Sequence, residues 1–119
     1  MPKRNCIFSF FNESSTLDIK LGGEIDHHSA VAVRSEIDTE IRSFMPKRTI
    51  IDLSGIEFMD SSGLGLIMGR YSLMQKIGGE LVVKNPSKRI MDIFELAGFQ
   101  KMIKIEKDSD DKCKEEKKL

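Results

Sequence analysis

The sequence has little that would place it among secreted, membrane or metal-binding proteins. Its 119 residues include two cysteines, Cys6 and Cys113, near opposite ends and without the spacing of a disulfide framework or a metal site. No apolar run approaches the ~18 residues of a membrane span, and Met1-Pro2-Lys3-Arg4 leads into too short an apolar stretch for a signal peptide. A reducing cytoplasm is the expected location, with no membrane partner. Charge of one sign is lacking too: 19 Lys and Arg balance 19 Asp and Glu, so no net field advertises direct nucleic-acid binding. Internal repeats and linkers are missing, and the length suits one domain.

Turn chemistry and periodicity supply the elements. Cys6–Phe11 and Leu17–Leu21 read as two strands of a hairpin turned by residues 12–15, with Gly22-Gly23 ending the second. From Ser29, Ala30, Val33, Ile37, Ile41 and Phe44 recur at helical spacing, with Asp26 as the cap and Pro46 marking the end. Thr49–Leu53 is the strongest strand signal. Glu80–Lys84 reads as a short buried strand, followed by Asn85 as cap with Pro86 at the first helical position. Ile90, Ile93, Phe94 and Ala97 give that helix its stripe, Gly98 its C-cap, and Met102–Ile105 a last strand. Residues 107–119 form a charged tail expected to be disordered. Helices alternating with strands predict a single α/β domain: a mostly parallel central sheet, an N-terminal hairpin and amphipathic helices.

The chain is organised around Met59-Asp60-Ser61-Ser62-Gly63-Leu64-Gly65, where the central strand passes into a helix. One serine can cap that helix by accepting from its first free N–H groups, which leaves the other projecting into solvent and open to modification. Asp60 reads as a first-turn acid favoured by the helix dipole. Along the helix, Leu64, Ile67, Met68, Tyr71 and Met74 form the expected core stripe. Ser61, Gly65, Gly69 and Ser72 gather beside it, and Leu66, Leu73 and Ile77 lie nearly opposite. The glycines either let the helix approach the sheet closely or leave a flat strip for a partner.

Enzymatic chemistry finds no support. A phosphate loop would need a lysine after the glycines, and a nucleophile elbow a glycine two residues before the serine. Both histidines, His27 and His28, precede the serines, and their adjacent spacing suits a surface turn at a helix start better than a metal pair. No catalytic residue, metal or cofactor is expected.

Asp60-Ser61-Ser62-Gly63-Leu64-Gly65, preceded by Ile50-Ile51-Asp52-Leu53, resembles the signature of anti-sigma factor antagonists, proteins of the STAS fold. Gly23-Glu24-Ile25-Asp26-His27-His28 and Gly69-Arg70-Tyr71 bring it closer to the sporulation branch that acts on sigma factor F. The resemblance covers residues 5–106 and implies partner switching. The unmodified antagonist binds an anti-sigma factor that is also a serine kinase, freeing a sigma factor for transcription. Phosphorylation ends that binding, and a metal-dependent serine phosphatase restores it. The resemblance makes Ser61 the phosphoacceptor, has Asp60, Ser62 and Gly63 shape its loop, and puts Asp26 and His27 where the kinase is met. The strip of Gly65 and Gly69 is the expected docking surface. The alternative is a constitutive interaction or scaffold module of a stress-signalling assembly, without control at Ser61.

Overall fold

In the computed structural model, residues 6–107 are described; the expectation of a disordered tail falls almost wholly outside them. The strands are β1 (Cys6–Phe11), β2 (Thr16–Ile25), β3 (Arg48–Met59), β4 (Glu80–Lys84) and β5 (Lys104–Glu106). The helices are α1 (His27–Phe44), α2 (Ser61–Lys76) and α3 (Lys88–Ala97), with a 3-10 turn at Phe99–Lys101. The five strands lie in sequence order, β1 antiparallel to β2 and the remaining pairs parallel. This is the mostly parallel sheet with an N-terminal hairpin that the alternation of elements predicts.

Each crossover advances one strand in the same direction, so right-handed connections place the three helices on one face. The core forms there. Leu17, Ile19, Ile51, Leu53, Leu81 and Val83 come from the strands, Ile37 and Ile41 from α1, Ile67 and Met74 from α2, and Ile90 and Phe94 from α3. Period-two alternation sends Ile50 and Val82, register partners, to the other face, where both are buried as well.

Several boundaries differ from the sequence reading. β2 does not stop at Gly22-Gly23: those residues carry register shifts against β3, with Gly23 at φ 82°, and the strand runs on to Ile25. The glycines make bulges here, which bend a strand without ending it. β3 correspondingly extends past Leu53 to Met59. α1 begins at His27, two residues before its apolar period, and closes at Met45, a left-handed C-cap. The cap of α3 is Ser87, whose Oγ accepts from Ile90 N at 3.2 Å, and not Asn85. Asn85 takes a left-handed φ of 57° and its N–H donates to the Glu106 carbonyl, so Pro86 falls before the helix. Gly98 is the left-handed C-cap expected. The chain then turns through Phe99–Lys101, which delays the last strand to Lys104–Glu106.

Candidate functional site

Two turns meet at the carboxyl ends of β2 and β3. Ile25 and Met59 are register partners, and the Asp60 N–H donates to the Ile25 carbonyl at 3.2 Å. Each turn ends in an aspartate that caps a helix. Asp26 Oδ1 accepts from the N–H groups of His28 and Ser29, both at 3.0 Å, while the Asp26 N–H donates to Ser29 Oγ at 3.0 Å. That reciprocal box satisfies the first free donors of α1. The Asp26 carboxyl is held below the usual carboxylate range, chiefly by the Ser29 backbone N–H.

At α2 the cap is Asp60, whose Oδ1 accepts from Ser62 N at 2.8 Å. This corrects the reading of a serine cap. An aspartate fills the role equally well, and it moves Ser61 and Ser62 into the first turn. Ser61 is exposed, and among the described residues its hydroxyl enters no hydrogen bond. A modifying enzyme would find that oxygen unengaged, beside the unpaired N–H groups of a helix start.

The glycines of α2 separate into two kinds. Gly63 is buried, and a Cβ built there would stand 2.1 Å from Met59 Cγ, so a side chain is excluded and the turn is drawn tightly over Met59. Around a Cβ at Gly65 or Gly69, nothing lies within 4 Å. Close approach therefore does not explain these two glycines.

Between α1 and α2 runs a groove of about 310 Å³, bordered by His27, Arg34, Ser62, Gly65 and Gly69, with Leu66 and Arg70 also lining it. Leu66 is only 4 % exposed, whereas the sequence pattern puts it opposite the core stripe. The buried face of α2 centres on Gly63, Leu66, Ile67, Arg70 and Met74, while Leu64, Met68 and Tyr71 are half-buried. The shift arises because α2 packs against α1 as well as β3 and β4, so its apolar surface spreads over two directions.

Sequence reasoning missed both arginines. Arg70, 6 % exposed, sets Nε 2.7 Å from Asp38 Oδ1 on α1 and donates from Nη1 to the Leu66 carbonyl at 3.1 Å. Burial lowers the guanidinium pKa, and the Asp38 charge partly restores it. Arg34 reaches the groove from α1 and adds to the positive field on Arg70. No local signal links Asp38 and Arg70, which are 32 positions apart; the only clue was an arginine at helical spacing among apolar neighbours.

The structure thus brings Asp26, His27, Asp60 and Ser62 together at the carboxyl ends of β2 and β3, with Ser61 at the head of α2, while Gly65 and Gly69 follow along the groove further into that helix. His27 and His28 stand edge to face with ring centroids 6.0 Å apart, in the first turn of α1, at the helix start where the sequence puts them. Among the described residues, no three His, Cys, Asp or Glu side chains are grouped to hold a metal, and no helix is long and apolar enough to cross a membrane.

Fold and site together define a single α/β domain that presents an exposed serine at the head of a helix bordering a groove. Residues 12–112 match the STAS domain. The chain belongs to that family and groups with its anti-sigma factor antagonists. It is 36% identical over 89 residues to an anti-sigma F factor antagonist of Paenibacillus polymyxa, covering 75% of this chain and 76% of that one. An anti-sigma-B factor antagonist of Bacillus subtilis is 32% identical over 89 residues, covering 75% and 80%. The Bacillus cell fate determinant SpoIIAA in its phosphorylated form superposes with a TM-score of 0.70 at 26% identity, over 93% of this chain and 97% of that one. The anti-sigma factor antagonist SpoIIAA in its unphosphorylated form gives 0.69 at 26% identity, over 94% and 96%.

Proposed function

We propose that this protein antagonises an anti-sigma factor and that Ser61 is its switch. Unmodified, it docks through the turns at Asp26-His27 and Asp60-Ser61-Ser62 and the open strip of Gly65 and Gly69, displacing a sigma factor from the anti-sigma partner. That partner is also the serine kinase, and a metal-dependent serine phosphatase reverses the modification in the cytoplasm. The chain itself contributes no catalysis and touches no nucleic acid. Its domain spans residues 5–106.

The observation that carries this reading is the unengaged, exposed hydroxyl of Ser61, set between the capping Asp60 and Ser62, which lines the groove. Phosphorylation adds about −1.5 to −2 charges there at neutral pH. The helix start tolerates an anion, with a gain of up to about 1 kcal/mol, so the domain stays folded. A docked interface does not: desolvation and repulsion beside Asp60 cost several kcal/mol, and about 4 kcal/mol already weakens binding 1000-fold. The similar superposition on SpoIIAA in phosphorylated and unphosphorylated forms supports a switch of surface charge rather than of fold.

The test is site-resolved phosphorylation with magnesium-ATP and extract from the protein's own cells, beside Ser61→Ala and Ser62→Ala. Phosphate is expected on wild type and Ser62→Ala and nowhere on Ser61→Ala. An unmodified Ser61 in extract that contains the kinase would instead favour the constitutive scaffold. Ser61→Asp should bind the anti-sigma partner more weakly than wild type.

A further inference from the structure

The groove between α1 and α2 carries charge of one sign. None of the residues lining it is acidic and two are arginines, although the chain as a whole is balanced at 19 of each sign. The two arginines stand differently. Arg70 is buried and paired with Asp38, 2.7 Å away. Arg34 is exposed, and among the described residues it enters no ion pair and no hydrogen bond. The charges acting on Arg70 show the imbalance, since the Asp38 carboxylate is opposed there by the guanidinium groups of both Arg34 and Arg42. The local field is therefore positive, and no carboxylate among the described residues answers Arg34.

The walls beside Arg34 are apolar. Ala30 and Val31 come from α1, with Val31 52 % exposed, and Leu66 comes from α2. Gly65 and Gly69 present no side chain, and a Cβ built at either meets nothing within 4 Å, so room is left for a side chain from outside. A ligand suited to this groove has an apolar stem that ends in a single anion. A carboxylate fits a lone guanidinium, whose planar fork donates two parallel hydrogen bonds to its two oxygens. A phosphate is served less well, because one free guanidinium leaves much of its charge and one or more of its oxygens unmatched.

We propose that the groove receives a glutamate or aspartate side chain of the anti-sigma partner, with Arg34 as its counter-ion. This rests on the reading of the protein as an antagonist and adds the chemistry that its partner must present. The docking surface then carries two signs in a fixed order: the acids Asp26 and Asp60 at the helix starts, and Arg34 about two turns of α1 beyond His27. A partner has to match both, and a wrong one sets like charges together, which is how interfaces gain orientation and specificity. The apolar walls exclude water from the pair, so removing one member should weaken binding tenfold or more.

The experiment uses the full chain and the purified anti-sigma factor of the protein's own cells, with affinity read by titration calorimetry. Arg34→Gln should weaken binding at least tenfold and Arg34→Glu more, while Arg34→Gln keeps the Tm of the free domain within about 4 °C, as suits an exposed position. In the complex of Arg34→Lys, a carbodiimide should join the introduced amine to a partner Asp or Glu as an amide, located by peptide mass spectrometry. Replacing that partner acid with arginine should restore binding to Arg34→Glu. A wild type that binds no anti-sigma factor sinks the antagonist reading and this inference with it. If wild type binds but Arg34→Gln binds equally well, or position 34 of Arg34→Lys joins no partner acid, the antagonist reading stands and this inference is overturned. It is overturned too if position 34 cross-links to a second copy of the chain, or if inorganic phosphate binds the free wild type and not Arg34→Gln, since the groove then belongs to another occupant.

Discussion

Three glycines within seven residues of α2 should respond to alanine in opposite directions. Gly65 and Gly69 sit inside the helix, where glycine is about 1 kcal/mol less favourable than alanine, and their built Cβ atoms meet nothing within 4 Å. Gly65→Ala and Gly69→Ala should therefore each stabilise the domain by up to about 1 kcal/mol, or about 4–8 °C in Tm for a domain of this size. Gly63→Ala gains the same propensity but drives a methyl to 2.1 Å from Cγ of the buried Met59. Overpacking of that kind costs about 1–3 kcal/mol, so the sign reverses. Urea unfolding with an unchanged m-value gives all three numbers. Loss of about 1 kcal/mol in Gly65→Ala or Gly69→Ala would refute the reasoning, since the positions would then be packed. If the strip receives the anti-sigma partner, the same two stabilised variants bind it more weakly. Stability and affinity would then move in opposite directions.

Three other expectations rest on single features. Asp38→Ala leaves the Arg70 charge buried without its partner and should cost about 3 kcal/mol, whereas replacing both Asp38 and Arg70 with leucine should cost less, as denaturant titration of the three variants would reveal. The depressed pKa of Asp26 means that its charged form stabilises the fold above the usual carboxylate range, and this contribution is lost as pH falls through the lowered value. Asp26→Asn still accepts at the cap but cannot titrate, so its stability should fall less steeply than wild type below about pH 4 in acid unfolding. Phe94→Ala removes a fully buried ring stacked on Phe99 at 5.1 Å and should destabilise by about 3–5 kcal/mol in thermal or urea melts.

Much of this architecture is legible locally, where one force dominates. Asp26 before α1 and Gly98 after α3 act through the nearest backbone groups, and the reading places both correctly. Gly22-Gly23 and Asn85-Pro86 misled it because the same residues serve both to stop an element and to bend it, and the choice is made by strands distant in sequence. The Leu66 misassignment has a similar origin, since a helix covered from two sides has no single apolar period. At the site, residues of one turn could be grouped from spacing alone. Arg34 and the Asp38–Arg70 pair could not, because only the packing of α1 on α2 joins them.

The hydrogen bond from Asp60 N–H to the Ile25 carbonyl fastens the turn bearing Ser61 to a strand from another part of the chain. The surface around that serine is consequently discontinuous in sequence, assembled from positions 26–34 and 60–70. A kinase that reads it recognises a folded shape and not a linear motif. A synthetic peptide of residues 55–72 would carry the serine and both neighbours yet lack His27, Arg34 and the wall of the groove. If Ser61 is the phosphoacceptor proposed above, such a peptide should be a poor kinase substrate, and unfolding the domain should hide the serine from the kinase by the very act of exposing it to water.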